Sequence, residues 1–314
     1  MKNSIIKIME LLILPVGLFI FFSLIAGGFG LHSLPIILSQ SMLPVVIGLG
    51  LCVLMNAGLM DFSMGARSVF GATIGGVFSQ GYGVVGLLLG CFLGAMFAAV
   101  IMAVIYRLFR IPAMVISIGI LLVYEVLAAK LVGSSGYIRI DKSLFVIGSY
   151  PYNVIITLAA GVLFYVLSYR MRIGCYITAV GNDEKMCKNV GINADKVKFV
   201  AIILTGVFCS FSSLLMLCYS GSVTASTDMG TMNLVFKPIM CVILARHLRK
   251  YVDCMPFLIL IGGLCITIIF NGFIALGFGE ALQDIILGLF MIGVLGSTAL
   301  SEQLQRWKRH KQIA

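Results

Sequence analysis

Runs of about twenty apolar residues recur along the whole chain, and each is long enough to cross a hydrocarbon core roughly 30 Å thick. With 61% hydrophobic and 11% charged residues and a mean hydropathy of +1.11, there are too few ions to cover a soluble surface, where charged residues make up about 25%. The chain reads as an all-α, polytopic membrane bundle. Ten spans are expected: Leu11–Gly30, Leu34–Met60, Phe62–Ser79, Val84–Tyr106, Pro112–Leu131, Pro151–Tyr169, Phe199–Tyr219, Thr231–Ala245, Met255–Leu276 and Ala281–Leu300. Segments two and three can equally form a re-entrant hairpin, so eight to ten crossings are open. The first span reads as retained, because its apolar stretch is long for a cleaved signal.

The net charge of +10 follows from topology rather than from nucleic-acid binding. With the N-terminus inside, most Lys and Arg fall in inside segments, which places both termini in the cytoplasm. The whole chain, 1–314, reads as one integral domain. It has a polar cytoplasmic segment at 175–198 and a basic cytoplasmic tail at 301–314, where Trp307 suits an interfacial anchor. Nine cysteines lie mostly in apolar runs without a Cys-x-x-Cys pair, and His32, His247 and His310 are far apart. No metal site is expected. No phosphate-binding loop or nucleophile–base set appears, so the chain is not expected to be an enzyme or to bind a cofactor itself.

Charges inside the apolar runs mark the sites, since each costs roughly 2.5–3.5 kcal/mol at membrane depth. "GLMDFSMGARSVFG" (Gly58–Gly71) holds Asp61 and Arg67. Gly58 suits the left-handed end of one helix, and Asp61 suits the cap of the next, accepting from Ser63 or Met64; Gly65 completes this break. Six residues turn a regular helix by about 600°, which puts Asp61 and Arg67 on different faces. Arg67 therefore needs another partner or a wet cavity; Glu125, across helices, is the candidate partner of opposite sign, and the alternative is that each faces water independently. Lys237, beside the helix-kinking Pro238, needs water or a partner, and Asn233 is its neighbour in sequence. Asp61, Arg67, Glu125, Lys237 and Asn233 are the candidates for a solute path. "GLLLGCFLG" places Gly86, Gly90 and Gly94 on one helix face and signals close helix packing.

In "YITAVGNDEKMCKNVGINADKVK", Asp183 and Glu184 open a short helix that closes at Lys188 and Gly191. That polarity suits the helix dipole. Such a helix between two spans can be a docking knob or an ordinary solvated loop.

These residues carry a resemblance. "GLMDFSMGA", "RIPAMVISIGILLVYEVLA" (Arg110–Ala128) and "RIGCYITAVGNDEKMCKNVGINADKVK" (Arg172–Lys198) resemble, in order and spacing, three elements of ribose-type ABC importer permeases, which are related to branched-chain amino-acid permeases. The resemblance implies a type II importer bundle in a bacterial inner membrane, carrying a monosaccharide or sugar-like solute. It implies a second permease chain (homodimer or heterodimer), cytoplasmic ATPase subunits that bind ATP and magnesium, and an extracytoplasmic binding protein. It makes Gly181, Asn182, Asp183, Glu184, Lys188 and Gly191 the ATPase-coupling residues. Glu125 stands where the family usually has Arg, and Arg67 where it is small or apolar. A basic loop, "ARHLRKYVDCM", replaces a glycine-rich turn. The alternatives are a branched-chain amino-acid permease and an ion-driven secondary transporter using Asp61, Arg67 and Glu125 as a charge relay.

Overall fold

The computed structural model describes residues 2–109, 111–279 and eight scattered positions between 282 and 293, with side chains from residue 10 onward. The basic tail 301–314 and most of the expected last span lie outside the described residues. Eleven helices occur among those described. They are α1 (Lys2–Ile25), α2 (Leu34–Asn56), α3 (Met64–Phe109), α4 (Ala113–Val132), the single turn α5 (Phe145–Gly148) and α6 (Tyr152–Tyr165). They continue with α7 (Arg172–Asn182), α8 (Glu184–Asn189), α9 (Ala194–Ser220), α10 (Asn233–Leu248) and α11 (Met255–Ala275). Among the described residues, seven helices are long and apolar enough to cross a membrane. Helices meet that demand because each satisfies its own backbone polar groups in a medium without water.

The third and fourth expected spans form the continuous helix α3, broken only at Gly83, where φ is +57° and ψ −134°. The chain doubles back there. Gly71 faces Ala95, Gly75 faces Cys91, and the Gly94 position abuts the Gly71 backbone. The glycine face expected at 86, 90 and 94 therefore has its partner in the same helix's first half, at Gly71 and Gly75. A side chain at either row would hold the two backbones apart.

Helix α2 runs through the middle. Every residue from Val45 to Leu54 is buried, as expected of a helix that is apolar all round. It packs against α6, α7, α9, α10 and α11. Its packing surfaces include Gly50 against Phe208 of α9 and Gly48 against the Pro238–Val242 turn of α10. The outer helices keep large apolar side chains exposed, among them Phe92, Phe97, Val123 and Leu158, which suits a lipid-facing surface.

The segment between α4 and α5 contains a strand. β1 (Tyr137–Arg139) pairs antiparallel with β2 (Ser222–Thr224), Ile138 opposite Val223. This ribbon ties the end of α4 to the end of α9. Helices α7 and α8 lie at the start of α9, hence at the opposite end of the bundle.

Candidate solute path and coupling site

The break between α2 and α3 has the expected form at its two ends. Gly58 has φ +73°, and Asp61 Oδ1 accepts from the Ser63 N–H at 2.7 Å and the Ser63 hydroxyl at 2.6 Å. The Phe62 N–H, another orphan of the helix start, donates to Ser117 Oγ at 3.1 Å. Residues 59–62 stand outside any helix, and this overturns the expected pairing of Arg67. Asp61 does not lie on the same regular helix as Arg67; it precedes the first turn of α3. Its free oxygen reaches back over that turn, and Arg67 Nη2 donates to it in a buried ion pair. Arg67 Nη1 donates to Thr205 Oγ1 of α9 at 3.0 Å.

Glu125 does not meet Arg67. Its carboxylate accepts from the Met229 N–H at 3.0 Å, the Thr231 N–H at 2.9 Å and the Thr231 hydroxyl at 2.6 Å. It thus caps, from α4, the short helical turn Gly230–Met232 that leads into α10. Two helices therefore start inside the bundle, each with a carboxylate on its positive end. The two starts touch: at Gly65 an added Cβ would overlap the Thr231 carbonyl. Asp61, Arg67 and Glu125 are 2%, 0% and 1% exposed. Apart from the unpartnered Nε of Arg67, their polar atoms serve helix ends, Thr205 and one another, and none of the three lines the cavity that holds Lys237.

Asn233 and Lys237 sit elsewhere. They line a cavity of about 610 Å³ between α2, α9, α10 and α11, toward the β1–β2 end. Lys237 Nζ lies 4.2 Å from the centroid of the Phe270 ring. Asn271 Nδ2 donates to Gln40 Oε1 at 2.7 Å. Asn153 belongs to the wall and is 1% exposed, with neither amide atom partnered among the described residues. Gln40, Asn153 and Asn271 carry no charge and so do not stand out in the sequence. Neutral amides within apolar runs are the signal that would have found them, because burying them is also costly.

The residues expected to couple to an ATPase lie in and around two helices, α7 and α8. Buried Gly174, Ile177 and Val180 give α7 one inward face. Asp183 caps α8, accepting from the Met186 N–H at 2.9 Å, and Gly191 closes it with φ +83°. Glu184 pairs with Lys188 at 2.7 Å and Lys198 at 2.6 Å. Those two ammonium groups hold its carboxyl down from 4.5 to about 2. Lys188 and Asn182 lie on the exposed side. Gly181 is seated on the end of α2, where an added Cβ would overlap the Asn56 carbonyl and crowd the Gly58 nitrogen. Asn56 Oδ1 also accepts from Arg246 Nη2 of α10 at 3.0 Å. The end of α2 thus joins α7 to α10.

The family described as branched-chain amino acid transport system / permease component matches residues 33–295. The chain belongs to this permease family. The permease is 26% identical over 160 residues to the Probable ABC transporter permease protein YphD of Escherichia coli (strain K12), covering 51% of this chain and 47% of that one. It is 26% identical over 227 residues to the fructose import permease protein FrcC of Rhizobium meliloti, covering 65% and 61%. The chain spans about half the length of the curated relatives it matches. A solved metal-chelate type ABC transporter in an inward-facing conformation is similar in fold, with a TM-score of 0.52 and 16% identity over 92% of this chain and 98% of that one. A multi-pass helical bundle of ABC permease type is thus common to the family, the fold and the apolar runs of the sequence.

Proposed function

We propose that the chain is the membrane permease subunit of an ABC importer for a small polar solute, sugar-like rather than amino-acid-like. The observation that carries this is the seat of Gly181 on the Asn56–Gly58 backbone. A push on α7–α8 meets the end of the central, interrupted helix with no flexible side chain between them. Through Asn56 and Arg246 it also meets α10, whose other end lines the cavity. An ATPase that closes beneath α8 could in this way tilt α2 and α10 and switch the cavity between the two sides, as packed, two-state bundles do. ATP hydrolysis belongs to partner chains that hold ATP and magnesium. A second permease copy and an extracytoplasmic binding protein complete the proposed assembly in a bacterial inner membrane, with α7–α8 on the cytoplasmic side.

The relative named as a fructose import permease supports a sugar over a branched-chain amino acid. The cavity supports it too, since its polar lining is hydroxyl and amide apart from the one ammonium of Lys237. A charge relay through Asp61, Arg67 and Glu125 gains no support, because all three are closed off and engaged. The test is co-purification. Replacing Asp183 and Glu184 by Lys should leave membrane insertion intact and abolish association with the ATPase chain. An unchanged complex would overturn the coupling role of α8.

A further inference from the structure

We infer that the cavity is a solute subsite within a single chain, that it takes a neutral, hydroxyl-rich solute, and that Asn153 is its specificity-determining residue. The inference rests on the permease reading and names what that cavity recognises.

The volume of about 610 Å³ falls within the roughly 300–1,000 Å³ typical of small-molecule sites. Much of its described lining is aliphatic, Met42, Leu43, Ile47, Leu215 and Ile274 among it, and three further kinds of group are set within that wall. Gln40, Asn153, Asn233 and Asn271 are amides, which donate and accept side by side. Ser39, Ser220, Ser222 and Thr224 are hydroxyls, which do the same. Phe236, Phe270 and Tyr219 offer ring faces. A sugar ring presents the matching surfaces: hydroxyls around its edge that donate and accept, and C–H groups on its faces. No carboxylate lies among the described lining residues, and the single ammonium, Lys237, rests over the Phe270 ring. The two helix starts that would otherwise attract an anion already hold Asp61 and Glu125. The wall therefore offers one cation, already set against an aromatic face, and no pair of cations to clamp a carboxylate or phosphate solute.

Asn153 separates this cavity from an ordinary gap between helices. It opens α6, and its backbone is fully used: its N–H donates to the Ser149 carbonyl, and its carbonyl accepts from the Thr157 hydroxyl. Its side-chain nitrogen and oxygen are both buried and unpartnered among the described residues. A buried amide left so is expensive, and native proteins rarely keep one without a use. Two adjacent hydroxyls of a solute would satisfy both atoms at once, one accepting from Nδ2 and one donating to Oδ1. The amide is 1% exposed, so it meets the solute as the wall shifts during alternating access, not in a standing open site. That timing suits a residue that recognises solute as the cavity changes side.

The test uses the full chain in lipid nanodiscs, alone and with its co-purified ATPase. Thermal protection is titrated with fructose and ribose, with gluconate and leucine as controls. The expected result is saturable protection by the neutral sugars and little by either control. Asn153→Leu should weaken the apparent sugar affinity at least tenfold while its unliganded Tm stays equal or rises, because an apolar group of similar shape relieves the unpartnered amide. Deoxy sugars should bind wild type less well than the parent sugar and Asn153→Leu equally to it. A lowered Tm in Asn153→Leu with unchanged sugar saturation makes Asn153 a packing residue and overturns the proposal. Should Asn153→Leu fail to fold, Gln40→Leu at the Asn271 pair carries the same sugar comparison. Tighter binding of gluconate than of fructose overturns the neutral class. A chain that holds its ATPase and shows no sugar protection overturns the subsite alone. One that saturates with sugar and never holds an ATPase supports the subsite and overturns the importer reading.

Discussion

The ion pair of Arg67 and Asp61 should behave as one unit whose halves cannot be lost separately. Both side chains are out of solvent, so removing one partner strands a charge in a low-dielectric interior, at about 3–5 kcal/mol. Arg67→Met leaves Asp61 with its Ser63 contacts but one oxygen uncompensated. Asp61→Asn leaves the guanidinium with Thr205 and an Nε that already lacks a partner. Each single variant should lower the apparent Tm by on the order of 10 °C. The double variant D61N/R67M strands no charge, and Asn at 61 still accepts from Ser63. It should be more stable than either single variant, with a coupling energy of roughly 3 kcal/mol. The charge-swapped D61R/R67D should not recover, because an arginine at 61 cannot accept from the Ser63 N–H and hydroxyl. The assay is a double-mutant cycle on thermal or SDS unfolding of the purified chain, with a parallel cycle for Arg67 and Glu125. Additive Asp61 and Arg67 effects, or a stronger coupling of Arg67 to Glu125, would refute the reasoning.

Glu125→Gln should weaken the cap on the α10 start by about 1.5–3 kcal/mol and speed hydrogen exchange at the Met229 and Thr231 amides; unchanged protection there would contradict the capping role. Gly181→Ala should keep membrane insertion and ATPase binding but uncouple hydrolysis from uptake, because a Cβ displaces α7 from the Asn56 carbonyl; coupled transport in this variant would dismiss the direct seat. The Glu184 carboxyl, lowered from 4.5 to about 2, ties α8 to α9 through Lys198. That contribution is fully present above pH 4.5 and is lost as pH falls toward 2. Hydrogen exchange in α8 should therefore rise over that window, and a Glu184→Gln variant should lose the pH dependence. The gain is small, since the pair is partly exposed and such pairs contribute about 0–1 kcal/mol.

Much of the bundle was legible because apolar runs, glycines and caps act locally. Gly58, Asp61, Asp183 and Gly191 took their expected places, since each serves a backbone within three residues of itself. The errors came where partners are distant in sequence. Glu125 caps a helix start more than a hundred residues away, and no periodicity announces that. Arg67 meets Asp61 because α3 starts at Met64, two residues later than the expected Phe62, and a two-residue change in where a helix begins reverses which side chains can meet. The strands β1 and β2 are three residues each, too short for an alternating pattern. The cavity was half found: charge pointed to Lys237 and, beside it, Asn233, while the neutral amides of Gln40, Asn153 and Asn271 left no mark in net charge.

The central claim is that this permease moves solute by movements imposed on α7–α8 from an ATPase. Uptake into vesicles holding the intact complex, compared with vesicles lacking only the ATPase chain, tests it most directly. The account predicts uptake that requires ATP hydrolysis, survives collapse of proton and sodium gradients, and vanishes without the ATPase. Uptake that persists without the ATPase and collapses with an ion gradient would contradict it.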